Sequence, residues 1–154
     1  MADNLGKKFE EQFKGDFKSL PNVSIDRLYD LVSGYKSISQ VCDFIGYIYP
    51  NIYYLECKST QGNTLNFAKI RQYDELVKKV GIKGVRSGVV VWFIDHDRVL
   101  YVPTKTLTEM KKNGDKSVNI RTIDKYRYLE IPSIKKRVFM NSDYSVLTTL
   151  QEGD

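Results

Sequence analysis

The amino-acid sequence predicts an α/β fold in which helices flank a mixed β-sheet. Stretches in which apolar and polar residues alternate, as they do in strands, lie between stretches that repeat at helical spacing. Residues 88–94 form an almost continuous apolar run, which is typical of a strand covered on both faces. The chain has 154 residues, and we expect one domain over residues 1–154 with its core at about residues 5–140.

The composition narrows the class of protein. Hydrophobic residues make up 42% and charged residues 28% of the chain, which is typical of a folded domain and excludes a disordered one. No apolar run approaches the roughly 18–20 residues of a membrane-spanning helix, and the polar N-terminal residues lack a signal-peptide core. We therefore expect a cytoplasmic protein. The net charge of +5 favours a polyanionic partner, because Lys and Arg side chains displace counterions from phosphates.

The first half of the chain contains the best-defined predicted elements. Three phenylalanines recur every four residues within residues 4–18, which predicts a helix with one apolar face. Residues 26–32 are interpreted as a short strand and residues 33–39 as a loop. Residues 41–49 and 52–59 both alternate and flank a turn, so they predict a β-hairpin.

The second half is predicted to continue with a helix, a strand pair and a further helix. After a loop at residues 60–65, a helix is predicted over residues 66–80, ending at Gly81. Its apolar face would comprise Phe67, Ile70, Tyr73, Val77 and Val80. The buried strand at 88–94 is expected to turn at Asp95-His96-Asp97 and return over 99–102. A short helix then runs from Thr104 to near Gly114, and the tail adds a strand at about 136–140 and a loosely ordered end.

Asp43, Glu56 and Lys58 on the predicted hairpin are the candidate functional residues. Successive side chains in a strand alternate between faces, so Glu56 and Lys58 share one face and Cys57 points away. A turn centred on Pro50-Asn51 places Asp43 opposite Lys58, and a shift of two residues places it opposite Glu56. Both registers put Asp43 on the same face, with the two carboxylates and the ammonium within about 5–8 Å.

Such a cluster suits a hard divalent cation. Neighbouring carboxylates repel each other, and Mg²⁺ prefers carboxylate and water oxygens. A bound metal lowers the pKa of its water and offsets charge on a phosphodiester transition state, while the lysine can orient the attacking water. The backbone carbonyl of Cys57 is a further candidate ligand. We therefore predict a Mg²⁺ site, in which Mn²⁺ is expected to substitute. The alternative is a surface hairpin with a cross-strand salt bridge.

The residue pattern resembles that of the PD-(D/E)xK nuclease superfamily. Within it the chain is similar to Holliday junction resolvases, particularly the RecU type of Gram-positive bacteria and their phages, over roughly residues 5–103. The matching stretches are Gly6-Lys-Lys-Phe-Glu10, Cys42-Asp-Phe-Ile-Gly46, Tyr54-Leu-Glu-Cys-Lys-Ser-Thr60 and Asn66-Phe67. The resemblance implies a restriction-endonuclease-like core.

The resemblance also implies a role for each site residue. Asp43 and Glu56 would bind the metal, and Lys58 would be the catalytic lysine. Glu10 would complete the catalytic set, binding the metal directly or through a water. Glu10 is preferred over Glu11 because it lies at the edge of the apolar helix face. The family's His-Gln pair has only a displaced match at Gln72, and its long basic projection has no clear counterpart.

Side chains around this site are expected to contact DNA. They are Lys7, Lys8, Lys36, Ser39, Thr60, Lys69, Arg71 and Gln72. The basic run at residues 135–137 is interpreted either as a further phosphate contact or as a solvated charge run. His96 is assigned to a turn, Trp92 to the core, and Cys42 and Cys57 to buried positions on the hairpin face opposite the acids.

These observations favour a homodimeric, Mg²⁺-dependent endodeoxyribonuclease that resolves four-way DNA junctions by paired phosphodiester hydrolysis. Two symmetric nicks require two active sites in a fixed relation, which a two-fold dimer provides. One alternative is a restriction- or homing-type enzyme of the same fold that cuts duplex DNA. A second is a DNA-binding module without catalytic activity. A third is an unrelated basic α/β protein, which would place Asp43 and Glu56 on opposite faces of the sheet.

Overall fold

The structure is a computed structural model, and it describes residues 2–29, 31–33, 36–38 and 40–151. Within these residues no helix combines the length and apolar character needed to cross a membrane. The helices and strands, in chain order, are α1 (Ala2–Lys18), β1 (Val23–Arg27), β2 (Leu31–Ser33), β3 (Lys36–Ile38), β4 (Phe44–Ile48), β5 (Asn51–Thr60), β6 (Thr64–Asn66), α2 (Tyr73–Val77), β7 (Val85–Phe93), β8 (Arg98–Pro103), α3 (Thr104–Lys112), β9 (Ser117–Asn119), β10 (Leu129–Ile131), β11 (Ser133–Lys136) and β12 (Phe139–Ser142).

A six-stranded mixed sheet forms the centre of the fold, with strand order β1-β4-β5-β7-β8-β10. The β5–β7 pair is parallel, and the other neighbours are antiparallel. A parallel pair needs a crossover between its strands, and residues 61–84, which include α2, provide it. The predicted α/β class with a mixed sheet is therefore confirmed.

Each face of the sheet is covered by its own apolar cluster. On one face, α1 packs Phe9, Phe13 and Phe17 against the sheet, as the helical spacing predicted. On the other face, α3 contributes Leu107 and Met110 to a second cluster. Burying a phenylalanine or leucine side chain stabilises a fold by about 1.5–3 kcal/mol each. The two clusters therefore position α1 and α3 on opposite sides of the central strands.

The β4–β5 hairpin is confirmed, and its register is the shifted one of the two that were predicted. Phe44 pairs with Leu55 and Ile48 with Asn51, so the turn lies at Tyr49-Pro50 rather than Pro50-Asn51. The next position in this register places Asp43 beside Glu56. Because a shift of two residues preserves the faces of a strand, the predicted grouping of side chains is retained.

The strand pair that follows the crossover is also confirmed. β7 is almost entirely buried, with Trp92 in the core, and β8 returns along it. His96 lies in the connecting turn, where its Nε2 is 2.7 Å from Asn63 Oδ1. The turn closes with Asp97 in the left-handed region at φ 50°, and α3 follows β8 as expected.

The helix predicted over residues 66–80 is wrong in extent. A 3₁₀ turn at Phe67–Lys69 is followed by Ile70 at ψ 77°, which leaves helical geometry, and α2 has only five residues. The residues that face the core therefore differ from those predicted. Leu76 is fully buried, whereas Val77 and Val80 are each 38% exposed. A single helical period cannot describe a segment that is interrupted in this way.

Two other boundaries differ from the predictions. The first strand begins at Val23 instead of residue 26, and β3 falls within the predicted loop at 33–39. The single strand predicted at 136–140 is instead the end of a hairpin, in which residues 137–138 form the turn between β11 and β12. That turn contains Arg137 and Val138, without the glycine or asparagine that usually marks a two-residue hairpin turn. Thr60 ends β5 instead of beginning a loop.

The segment expected to be a loosely ordered end packs into the core. Residues 144–149 form a 3₁₀ helix, and the side chains of Tyr144 and Leu147 are fully buried. The Tyr144 ring meets Phe13 of α1 edge-on, with ring centroids 4.8 Å apart. The C-terminal segment therefore helps to hold α1 against the sheet.

We expect Tyr144→Ala to lower the free energy of unfolding by about 3–5 kcal/mol, because it leaves a cavity beneath α1. Urea denaturation followed by tryptophan fluorescence measures the change. Thr148→Ala, on the exposed side of the same turn, is the control and should change stability by less than about 0.5 kcal/mol. Equal stability of the two variants would show that the C-terminal segment does not pack as described.

Candidate active site

The site lies where β5 continues past the end of its partner β4. β4 begins at Phe44, which pairs with Leu55, so among the described residues no strand pairs with the β5 edge beyond Leu55 on that side. There the Cys57 N–H donates to Asp43 Oδ2 over 2.9 Å. The Asp43 carbonyl in turn accepts from the Leu28 N–H at 2.8 Å. Asp43 thus takes the place of a strand residue and is held from both sides.

Glu56 carries a carboxyl group that is buried without a hydrogen-bond donor in the described part of the chain. It is 0% exposed, and neither of its oxygens has a hydrogen-bond donor within the described residues. Burial, and then the neighbouring Asp43 carboxyl, raise the pKa of Glu56 from near 4.5 to about 9. The two carboxyl groups therefore lie close enough to repel each other when both are ionised, and a cation placed between them would relieve that repulsion.

Lys58 lies on the same face of β5 as Glu56. The two residues pair with Val91 and Val89 of β7, respectively, two positions apart. The side chain of Lys58 is half-buried, and its positive charge lowers the pKa of Glu56, which opposes the effect of Asp43. The structure therefore brings Asp43, Glu56 and Lys58 together as predicted. A fold with the two acids on opposite faces is excluded.

Glu10 approaches the same edge from α1. Its charge contributes to raising the pKa of Glu56 and that of the buried Cys57 thiol. Glu10 also has a cationic partner: its Oε2 forms an ion pair with Arg27 Nη1 at 2.5 Å. Glu11 is more exposed than Glu10, in agreement with the predicted preference between them.

Arg27 is a site residue that the sequence did not reveal. Burial opposes its charge, yet the carboxylates of Glu10 and Asp43 outweigh that effect and raise the pKa of Arg27. Its guanidinium also lies 5.4 Å from the centre of the Phe44 ring. Arg27 ends β1, and pairing with Phe44 brings it to the site. Because the strand was predicted to begin at residue 26, this register was not available from the sequence.

A cleft of about 330 Å³ opens beside this edge. Its lining combines the two charged site residues Glu10 and Arg27 with further side chains of α1 and the nearby rings: Lys7, Glu11, Lys14, Tyr29 and Phe44. The cleft thus carries three cations, Lys7, Lys14 and Arg27, and two acids, Glu10 and Glu11.

Cys57 and Cys42 lie on different sides of the sheet. Cys57 points into the α1 cluster, opposite Glu56, as predicted. Cys42 belongs instead to the other cluster, on the side of Glu56, so its predicted position is wrong. The residue precedes β4, where the backbone bends, and the strand alternation does not reach it. Its Sγ lies 3.0 Å from the Phe44 carbonyl oxygen, to which it donates. Both thiols are free.

The residues present fit a divalent cation on three grounds. Glu56 is a buried acid without a donor, Asp43 stands beside it, and the Cys57 carbonyl is directed to the same open edge. The N–H and C=O of one strand residue point to the same side, and the Cys57 N–H already faces Asp43. Among the described residues, no three His, Cys, Asp or Glu side chains form a compact metal-binding group. Two carboxylates and a carbonyl, completed by water, suit Mg²⁺.

The predicted DNA-contacting residues are distributed unevenly. Lys7 and Lys8 are exposed on α1; Lys7 lines the cleft at the site, whereas Lys8 lies over the Phe139 ring of β12. Lys69 and Arg71 are exposed in the crossover, and Gln72 is half-buried at the start of α2. Ser39 lies outside the described residues, and of Lys36 only the backbone, in β3, is described.

Thr60 is buried, and its hydroxyl is occupied within the chain. Oγ1 donates to the Thr64 carbonyl at 2.8 Å and lies 3.2 Å from the Gln61 carbonyl. The residue therefore closes the turn between β5 and β6. Its contact with DNA stays a prediction.

The mixed sheet, covered by helices on both faces, has a fold of the restriction-endonuclease-like class. The family model for Recombination protein U matches residues 9–143. A similar solved structure is the Holliday junction resolvase Hjc of Archaeoglobus fulgidus, with 14% identity and a TM-score of 0.50, covering 66% of this chain and 78% of that one. No curated protein sequence matches the chain. The chain belongs to the Recombination protein U family of Holliday junction resolvases.

The buried Glu56 makes the stability of the metal-free protein depend on pH. Its folded pKa of about 9 is above the ordinary 4.5, so its stabilising contribution is complete below pH 4.5 and is lost as the pH rises towards 9. We expect Glu56→Gln to be more stable than the wild type at pH 9 in EDTA, by about 1–3 kcal/mol, because a neutral amide replaces a carboxyl group whose charged form is penalised by burial. Urea denaturation at pH 5 and pH 9 measures the difference.

Glu11→Gln is the matched control, since Glu11 is exposed on the same helix as Glu10. It should leave the pH dependence unchanged. Mg²⁺ should stabilise the wild type at pH 9 but not Glu56→Gln. A wild type whose stability rises between pH 5 and pH 9 in EDTA would contradict this account of Glu56.

Arg27 is expected to compete with a cation for the negative charge of the site. Removing a positive charge beside Glu10 and Asp43 increases the local attraction for another cation. We expect Arg27→Gln to bind Mn²⁺ several-fold more tightly than the wild type in the absence of DNA, as measured by calorimetry. Arg98→Gln removes an arginine paired with Glu130 on β10 and should leave Mn²⁺ affinity unchanged. Weaker Mn²⁺ binding by Arg27→Gln would contradict this role.

Proposed function

We propose that this protein is a homodimeric, metal-dependent endodeoxyribonuclease that nicks four-way DNA junctions symmetrically in the cytoplasm of a bacterial or phage-infected cell. The observation that carries the proposal is the buried, unsatisfied Glu56 next to Asp43, with Lys58 on the same face. An unpaired buried carboxylate costs stability, and a site for a divalent cation explains why the fold retains it.

The residues divide the chemical work between them. Asp43 and Glu56, with the Cys57 carbonyl, would hold the cation at the open edge of β5. When bound, a divalent cation supplies positive charge next to the scissile phosphate and lowers the pKa of coordinated water. Mg²⁺ is the cation that the oxygen-only ligands favour, and Mn²⁺ would substitute for it.

Lys58 would orient the attacking water and stabilise the negative charge that develops on the phosphate oxygens. Its half-buried position near Glu56 reduces its contact with bulk water, which strengthens its electrostatic effect. Glu10 would act at the periphery of the metal site, directly or through water, and Arg27 and Lys7 would guide the phosphate into the cleft. Each incision would leave a 5′-phosphate and a 3′-hydroxyl.

Junction shape, rather than base sequence, is the proposed basis of specificity. The cations of α1 next to the site are suited to the DNA backbone, which carries no sequence information directly. Two copies related by a two-fold axis would place two sites on the two strands to be cut.

We expect Asp43→Asn and Lys58→Ala to retain junction binding but to reduce Mg²⁺-dependent nicking by at least about 10²–10³-fold, since each change removes a charge at the reacting phosphate. Nicking of a labelled synthetic junction, with and without Mg²⁺, provides the readout. Lys105→Ala, on the exposed side of α3, is the matched control for the loss of one lysine. Nicking that survives both site variants would rule out this site.

The alternative enzyme of the same fold cuts ordinary duplex DNA. A junction and a linear duplex of the same sequence distinguish the two proposals. Equal cleavage of both substrates would reject junction selectivity while leaving the nuclease assignment intact. Tight binding without any nicking in Mg²⁺ or Mn²⁺ would instead favour a DNA-binding module.

A further inference from the structure

The β11–β12 hairpin is separate from the main sheet. It forms its own two-stranded sheet, in which Lys136 pairs with Phe139, so that Arg137 and Val138 make the turn. Residues 131–142 contain three basic side chains and no acidic one. Lys135 is paired with Asp97 at 3.1 Å. Among the described residues, neither Lys136 nor Arg137 has an ion-pair partner.

Two large apolar side chains are exposed among these cations. Ile134 is 68% and Val138 is 53% exposed. Apolar side chains flanked by unpaired cations suit a DNA strand, because the cations bind phosphates while the apolar groups contact sugars or an unstacked base. A second protein chain would more readily cover an apolar patch without a concentration of unpaired like charges.

The turn itself has an unusual residue. Arg137 has a φ of 58°, in the left-handed region that glycine occupies without steric cost. A long charged side chain at such a position is disfavoured for the fold. Residues held in this way are concentrated at functional sites, where the side chain serves a purpose other than stability.

The base of the hairpin is held firmly. Ser142 N–H donates to the buried Asp16 Oδ2 of α1 at 2.9 Å. Met140 is buried, and the Phe139 ring lies 5.9 Å from Trp92 in the core, measured between ring centroids. The exposed tip is therefore presented by a rigid support, which reduces the entropy lost when a ligand binds.

The hairpin and the candidate active site flank the same helix. A groove of about 370 Å³ separates the hairpin from one side of α1, and Lys8 and Phe139 both line it. Lys7 and Glu10, on the neighbouring side of α1, line the cleft that also contains Arg27, and Glu11 lines both the groove and the cleft. A helix is about 10–12 Å across, which corresponds to about three to four nucleotides at roughly 3.4 Å per nucleotide.

We propose that the β11–β12 hairpin is a DNA-binding element, in which Lys136 and Arg137 bind backbone phosphates of a strand that crosses α1 from the active site. This inference rests on the proposed function, because it names the surface that extends the same DNA path. Lys7 and Lys8 on α1 provide positive charge along that path. The hairpin thereby provides a basic surface beyond the active site.

The test uses the full chain with Lys136→Gln and Arg137→Asn combined. Asparagine tolerates a left-handed φ, so the turn is retained while both charges are removed. Binding of a fluorescent four-way junction is measured by anisotropy in EDTA at several salt concentrations, and nicking is measured separately in Mg²⁺. The matched control combines Lys105→Gln and Lys112→Gln, which remove two exposed charges from α3 on the opposite face of the sheet.

We expect the hairpin variant to raise the junction Kd about tenfold and to reduce the slope of log K against log salt by about 1.4–1.8, the effect of two lost phosphate contacts. The control variant should stay within about twofold of the wild type. Unchanged binding by the hairpin variant, or an equal loss in the control, would overturn the inference. The inference would also be overturned if light scattering showed that the hairpin variant changes from a dimer to a monomer while the salt slope of junction binding stays unchanged. The hairpin would then contact protein.

Failure of the two proposals can be told apart. If the wild type nicks the junction and the hairpin variant binds as tightly as the wild type, only the hairpin inference fails. If the wild type binds the junction with a salt slope that depends on the hairpin but nicks nothing, the hairpin inference stands and the proposed nuclease fails. A wild type that binds no DNA overturns both.

Discussion

The candidate site depends on the burial of the Glu56 carboxyl group beside Asp43. Burying an ionised carboxyl group is among the least favourable events in folding, and here neither oxygen of Glu56 meets a donor in the described part of the chain. The surrounding architecture makes this burial unavoidable. β5 lies inside the sheet, with β7 along its full length on one side, so that residue 56 has no access to solvent there.

The open edge of β5 is where a ligand would reach the buried carboxyl group of Glu56. β4 ends its pairing at Phe44 while β5 continues to Thr60, and Asp43 fills the vacated ladder position by accepting the Cys57 N–H. Side chains from both faces then meet at one edge. Glu56 and Lys58 come from the α3 side, and Glu10 and Arg27 come from the α1 side or the strand next to it. The difference in length between two neighbouring strands thus creates the site.

Sequence patterns predicted the parts of this arrangement that follow from local periodicity. The faces of β5 follow from an alternation of period two, which is insensitive to a shift of two residues, so Asp43 and Glu56 were grouped correctly although the turn is displaced. The spacing of four residues between the phenylalanines likewise predicted α1.

Arg27 was missed because its position depends on pairing between β1 and β4, which no local pattern records. Thr60 was placed in a loop although it ends β5, because its partner, the Thr64 carbonyl, belongs to the next strand. The helical period gave the wrong buried residue in the crossover for the same reason. Leu76 is buried in place of Val77 because the chain leaves helical geometry at Ile70.

The C-terminal segment links stability to the geometry of the site. Tyr144 packs on Phe13, and Asp16 accepts the Ser142 N–H, so α1 is held at two points by residues that follow β11 in the chain. Asp16 is itself buried, which raises its pKa, while its hydrogen bonds to Ser142 and Gln12 oppose that shift. Glu10 lies six residues before Asp16, less than two helical turns away. A displacement of α1 at its C-terminal half would therefore move Glu10 and the Arg27 ion pair relative to Asp43. The segment that carries the basic hairpin is for this reason also the one that sets the position of the helix across which DNA is proposed to run.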